Sequence, residues 1–192
     1  MTETQPAGRR VLLVVPVTQF RDEEVFPLKR ALEAAGAAVT VGASSVRTCR
    51  GMGGGTVEAA VAIPEVPVGE GADSGYDAVV LAGGASVPEL LWKDKALVAL
   101  VSGMAGAGKL VAAISLSTVV LARAGLLGGK RATVYHLPEA LDELRSAGAT
   151  LASEPVVVEG NLITAEGPGS VGAFAEAIVL ALAGATAHQT AS

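Results

Sequence analysis

The sequence predicts an α/β sandwich: a mostly parallel sheet with helices on both faces. Three observations lead there. Short apolar, β-branched runs alternate along the chain with stretches of helical spacing. Gly-rich breaks such as Gly83-Gly84 end the runs. Hydrophobic residues make up 51% of the 192 residues but aromatics only 3%, so the apolar material is largely Ala and Val. That composition suits a sheet buried on both faces beneath closely packed Ala-rich helices.

Each element follows in order. Val11–Val17 is a continuous apolar run and reads as a buried strand. Glu24–Ala35 has helical spacing, with Gly36 where a C-terminal cap belongs. Ala38–Gly42 is a second short strand. Residues 44–70, with Gly51, Gly53, Gly54 and Gly55, read as loops and short edge strands. Tyr76–Ala82 is a buried strand, Val87–Ala105 a helix, Lys109–Ile114 a strand and Ser117–Ala124 a helix. Arg131–Tyr135, Val156–Val158 and Leu162–Thr164 are later strands, the last two joined by a tight Gly160-Asn161 turn. Val171–Leu182 closes the domain as an amphipathic helix. Residues 10–184 are expected to form one domain, with tails at 1–9 and 185–192.

The apolar runs fall short of the roughly 18 to 20 residues a spanning helix needs, so no membrane segment is expected. A net charge of −5 without a basic stripe argues against nucleic acid or anionic lipid as a partner. The single cysteine, Cys49, excludes an intrachain disulfide. The first ten residues lack a signal-peptide pattern, so a cytoplasmic location is the expectation.

Two motifs look like nucleotide sites and are better read otherwise. Gly103–Lys109 has the glycines and lysine of a phosphate loop, but Leu110 stands where a magnesium-holding hydroxyl belongs and the segment precedes a strand. It reads as a helix end. Gly51–Gly55 lacks dinucleotide spacing and reads as a flexible loop or bulged hairpin. His136 and His188 are far apart and no paired-ligand motif exists, so neither metal nor cofactor is expected.

Leu110–Thr118 carries the most information. An apolar strand runs into Ser115 and a helix starts at once, with small Ala113 and Ser117 at −2 and +2. A sharp strand-to-helix turn requires small residues there, because the two backbones nearly touch. Ser115 then projects from the strand's carboxyl end beside helix N–H groups, a place for a nucleophile or an anion-binding hydroxyl. On spacing alone, the plainer reading of Ser115 as a cap of the following helix is the favoured one.

Several segments in fixed order resemble the ThiJ/PfpI superfamily, from about Arg10 to Gly184. They are the opening strand with Phe20-Arg-Asp-Glu-Glu-Val-Phe-Pro27, then Tyr76–Gly84, Val111–Ser115 and Ala124–Thr133. Val158–Thr164 and Gly167-Pro-Gly-Ser170 with Phe174 complete the set. The resemblance implies a flavodoxin-like three-layer sandwich, commonly a homodimer. It also implies a reactive residue on the elbow, a protonated carboxyl from the first strand–helix turn, and backbone N–H groups that hold an anion. Carried over, the elbow residue is Ser115 and the carboxyl is Glu23, four residues before Pro27. Glu24 takes that place if the register slips by one. Gly84 and Leu116 supply the oxyanion N–H groups, and His136, after the strand Arg131–Tyr135, is a further base candidate or a surface histidine.

The departures matter as much. The family's elbow cysteine is Ser115 here, followed by Leu116, Ser117 and Thr118 instead of the usual His, small residue and proline. Serine is a poor nucleophile unless a base takes its proton. Glu166 stands where many relatives carry Arg, against recognition of an anionic substrate there. The expectation is an enzyme acting on a small carbonyl-like molecule by hydration, hydrolysis or lyase/isomerase chemistry. The alternative is a catalytically silent binding, regulatory or chaperone-like member.

Overall fold

The computed structural model describes residues 8–68 and 73–189. β1 (Arg10–Val14) is an interior strand of the main sheet and pairs in parallel with β3 (Ala38–Ala43) and β7 (Ala78–Leu81). β8 (Leu110–Ile114) and β12 (Leu162–Ala165) extend it in parallel, and β11 (Val156–Glu159) adds an antiparallel edge. β6 (Val61–Ala62) pairs with β3 at the other edge, giving the order β11-β12-β8-β7-β1-β3-β6.

Side-chain alternation explains why these strands read as unbroken apolar runs. Val11, Leu13, Val80, Ala112 and Ile114 face one core, while Leu12, Val14, Val79, Leu81, Val111 and Ala113 face the other. The first core is covered by α1 (Asp22–Ala34) and α6 (Val171–Gln189), through Val25, Leu28, Leu32, Phe174 and Ile178. The second is covered by α2 (Val87–Leu90), α3 (Lys95–Gly106), α4 (Thr118–Arg123) and α5 (Pro138–Ser146), through Val87, Leu97, Leu100, Val119, Leu121 and Leu144. The molecule is therefore the three-layer α/β sandwich that the sequence predicts, with its sheet buried on both faces.

The differences from expectation have local causes. The helix expected over Val87–Ala105 is two helices. Asp94 caps the second, its Oδ1 accepting from Leu97 N at 3.0 Å, and the intervening turn buries Trp92. β9 (Arg131–Ala132) is shorter than Arg131–Tyr135 and pairs with β10 (Thr150–Leu151) in a separate two-stranded sheet. α5 and β10 were not anticipated. Their signals were Pro138 at a helix start, buried Ala140 and Leu144 four residues apart, and Gly148 at φ 77° after the end. α6 reaches Gln189, so helix continues where a tail was expected from residue 185. Residues 1–7 of the expected N-terminal tail and 190–192 of the C-terminal one lie outside the described residues. Gly103–Lys109 is the end of α3, closed by Lys109 N donating to Met104 O.

The Gly-rich stretch is a hairpin turn rather than a phosphate cradle. β4 (Arg47–Gly51) and β5 (Thr56–Ala59) pair antiparallel, and β2 (Thr18–Phe20) joins β4 in a three-stranded sheet. Asp22, the first residue of α1, accepts from Gly53 N at 2.7 Å and Gly55 N at 2.8 Å. A Cβ on Gly55 would lie 2.4 Å from both Asp22 Oδ1 and Phe26 Cε2. Gly55→Ala is therefore expected to cost about 2 kcal/mol through overpacking and the loosened carboxylate bonds. Urea unfolding of the variant against the parent checks this. No helix among the described residues is long and apolar enough to cross a membrane.

Candidate active site

Three carboxyl ends of strands converge near the middle of the sheet: those of β1, β7 and β8. Ligands of open α/β sheets gather on this edge. Ser115 follows β8 directly and has a φ of 61°, in the left-handed region that disfavours side-chain-bearing residues. Ile114 before it is extended, and a 3₁₀ turn over Ser115–Ser117 leads into α4. This is the sharp strand-to-helix turn that the spacing suggested. Ala113 and Ser117 are fully buried, and Ser117 Oγ donates to Ala82 O at 2.6 Å, tying the elbow to the end of β7. The Ser115 side chain faces the turn after β7 and α1.

Glu24 reaches the same point from α1. Its side chain is fully buried, and Oε2 accepts from Gly83 N at 2.7 Å. Oε1 lies 3.6 Å from Arg21 Nε, and neither atom completes a hydrogen bond within the described residues. Burial raises the Glu24 carboxyl from its ordinary 4.5 to about 7, against the Gly83 N–H, the Arg21 charge and the Ser115 hydroxyl, which favour the anion. A carboxyl near 7 is roughly half protonated at neutral pH and can give or take a proton.

Gly83 makes this pairing possible. A Cβ there would lie 2.5 Å from Glu24 Oε2 and 2.6 Å from Ser115 Cβ, so any side chain would push the two apart. Gly84 has a φ of 151° and is bridged to Phe20. Arg21 N donates to Gly83 O and Ala85 N to Gln19 O, both at 3.0 Å, which leaves the Gly84 N–H outside the pairing. Leu116 stands in the first turn after the elbow, where N–H groups have no carbonyl earlier in the helix to bond.

The structure therefore brings together Ser115, Glu24, Gly84 and Leu116, and separates the other candidates from them. Glu23 is corrected: it is exposed and lines a groove with Pro27, Ala31 and Glu176 on the outer side of α1 and α6. The reason is helical phase. Glu24, Leu28 and Leu32 share the buried stripe, whereas Glu23 shares its row with Pro27 and Ala31. Counting back from Pro27 locates the acidic turn but not its inward face. His136 is 67% exposed, with Nε2 3.9 Å from Glu166 Oε1, and no hydrogen bond or ion pair joins it to Ser115 or Glu24. β9 ends early, and the chain turns outward at Tyr135, whose carbonyl accepts from Leu137 N. Cys49 is buried on β4 opposite Val57, its thiol pushed up by burial. Gly83 and Arg21 were missed as site residues. The signal for Gly83 was the doubled glycine, only one of which needed to be an anion donor. Among the described residues no group of three or more His, Cys, Asp or Glu side chains is placed to hold a metal.

Comparison with known proteins identifies the family. The sequence profile of the DJ-1/PfpI family matches residues 9–181. An uncharacterized protein of Methanocaldococcus jannaschii is 42% identical over 159 residues, covering 83% of this chain and 75% of its own. A protein of Pyrococcus abyssi named a deglycase is 33% identical over 164 residues, covering 85% of this chain and 93% of its own. The crystal structure of a ThiJ/PfpI domain protein from Brachyspira murdochii superposes with a TM-score of 0.84 at 32% identity, over 92% of this chain and 97% of that one. With the profile spanning almost the whole domain and a relative 33% identical over 93% of its length, the chain belongs to the DJ-1/PfpI family.

Proposed function

We propose that the protein is an enzyme that acts on a small carbonyl-like molecule by hydration, hydrolysis or lyase/isomerase chemistry. The observation that carries this reading is the pair itself: a fully buried Glu24 carboxyl held near neutrality against Ser115 on a strained elbow. Glu24 moves the proton. As the anion it takes one from the Ser115 hydroxyl or from a substrate carbon or water, and as the acid it returns one to the departing oxygen. Ser115 attacks the carbonyl carbon or donates a hydrogen bond to the carbonyl oxygen. The Gly84 and Leu116 N–H groups hold the oxygen on which charge develops. Relatives named deglycases support a carbonyl compound as the substrate class.

A panel of aldehydes, ketones, esters, amides and isocyanides tests this. With a turned-over substrate, Glu24→Gln and Ser115→Ala are each expected to lower kcat/KM by about 100-fold or more. The parent profile should bend near pH 7, and that bend should vanish in Glu24→Gln. Parent-like rates in both variants sink the reading. A second reading, a pocket that binds such a molecule without turning it over, draws on the near-complete burial of Ser115, which is 2% exposed. Binding by the parent without product formation, lost in Ser115→Ala, selects it.

A further inference from the structure

We propose that Trp92 is a positioning residue for the elbow, and that Arg123 and Glu143 hold it in place from the protein surface. The proposal rests on reading Ser115 as the working side chain. Trp92 is the only tryptophan in the chain and lies in the turn between α2 and α3. Its Nε1 donates to Leu116 O at 2.8 Å, so the residue next to Ser115 is gripped by its own carbonyl. Arg123, the last residue of α4, makes two contacts with Trp92. Its guanidinium lies 5.6 Å from the indole centroid, and Nη1 donates to the Trp92 carbonyl at 3.0 Å. The rest of the guanidinium is held by Glu143 of α5, Nε at 3.0 Å and Nη2 at 2.6 Å. Such a two-point Arg–carboxylate pair fixes orientation as well as charge.

The chain of contacts thus runs from Glu143 through Arg123 and Trp92 to Leu116 O. Its end point is where the local backbone is least comfortable, one residue past a φ of 61°. A left-handed non-glycine residue persists only when its surroundings over-determine it. On the other side of the elbow Ser117 Oγ is anchored to Ala82 O. Trp92 completes the clamp by holding the Leu116 carbonyl, and with it the orientation of the residue to which the proposed function assigns an oxyanion-binding N–H. Its effect on chemistry is exerted through the backbone and not by touching the reacting atoms.

The test reads the electrostatics of the elbow without requiring a substrate. Ser115→Cys places a thiol at the elbow, and the pH dependence of its alkylation by iodoacetamide gives the thiol's midpoint. Ser115→Ala, which keeps only the buried Cys49, supplies the background rate. Trp92→Phe keeps an aromatic ring there but deletes the N–H donor. In the Ser115→Cys background it is expected to raise the midpoint by about one pH unit, and to lower the rate below that midpoint about tenfold. Arg123→Met, a change at the surface, is expected to move both in the same direction by about threefold in rate. Arg123→Lys should not restore the parent values, because an ammonium cannot make the two-point pair.

Midpoints and rates equal to the parent in both variants overturn the proposal, including when the melting temperature falls. If Trp92→Phe does not fold, Arg123→Met decides alone. The alkylation midpoint does not depend on turnover. A Ser115→Ala variant as active as the parent would remove the catalytic reading and leave this comparison intact.

Discussion

Glu24→Gln is expected to flatten the pH dependence of stability between about pH 5 and 8. The native carboxyl titrates near 7 and the unfolded one near 4.5, so between these values the native state binds more protons. Stability from this group is fully present below 4.5 and is lost as pH rises through 7. The displacement corresponds to on the order of 3 kcal/mol at 1.36 kcal/mol per pH unit. Glutamine has the same shape and never ionises, so the variant escapes that loss. Urea midpoints measured at intervals across this range should show the parent falling relative to Glu24→Gln as pH increases. The difference between the two proteins isolates Glu24, since all other titrating groups are shared. A constant difference across the range would place the Glu24 titration outside it and remove the neutral-pH proton shuttle. Arg21, 3.6 Å from Oε1, supports the anion, so Arg21→Met should move the parent transition upward in pH.

The second large effect is expected at the glycine pair. Gly84→Ala meets two obstacles together. Its φ of 151° lies where side-chain-bearing residues are rarely found, and a Cβ would stand 2.2 Å from Gln19 O and 2.7 Å from Phe20 Cα. Both neighbours are backbone, and Gln19 is already at a φ of 54°, so neither yields by a rotamer change. The variant should lose about 3 to 5 kcal/mol, the sum of overpacking and backbone strain. Chemical denaturation measures it, and a loss under 1 kcal/mol would show that the β2 segment relaxes freely. Gly83→Ala should separate stability from function. Its Cβ would strike side chains, Glu24 Oε2 at 2.5 Å and Ser115 Cβ at 2.6 Å, so it should displace the pair at a smaller cost, about 1 to 3 kcal/mol. On the proposed mechanism its kcat should fall as far as that of Ser115→Ala.

Much of this molecule was legible in the chain because its signals are local. Val11–Val14, Ala78–Leu81 and Leu110–Ile114 are apolar without interruption because both sheet faces are buried, and that pattern survives in one dimension. The elbow was legible because close approach of two backbones demands small residues at Ala113 and Ser117, whatever the rest of the fold. Other features are not written locally. The break between α2 and α3 depends on Trp92 turning inward to Leu116 O, a partner 24 positions away. His136 was drawn toward the site by a strand that stops after Ala132, because β9 pairs with β10 and not with the main sheet.

By itself the sequence determined the α/β layering, the position of the elbow at Ser115 and the presence of an acid on the first turn. Tertiary structure decided which acid. Glu23 and Glu24 are chemically identical neighbours, about 100° apart around one helix. Only the docking of Leu28 and Leu32 into the sheet turns Glu24 inward, onto Gly83 and away from water. That burial, and not the residue type, is what carries one carboxyl to about 7.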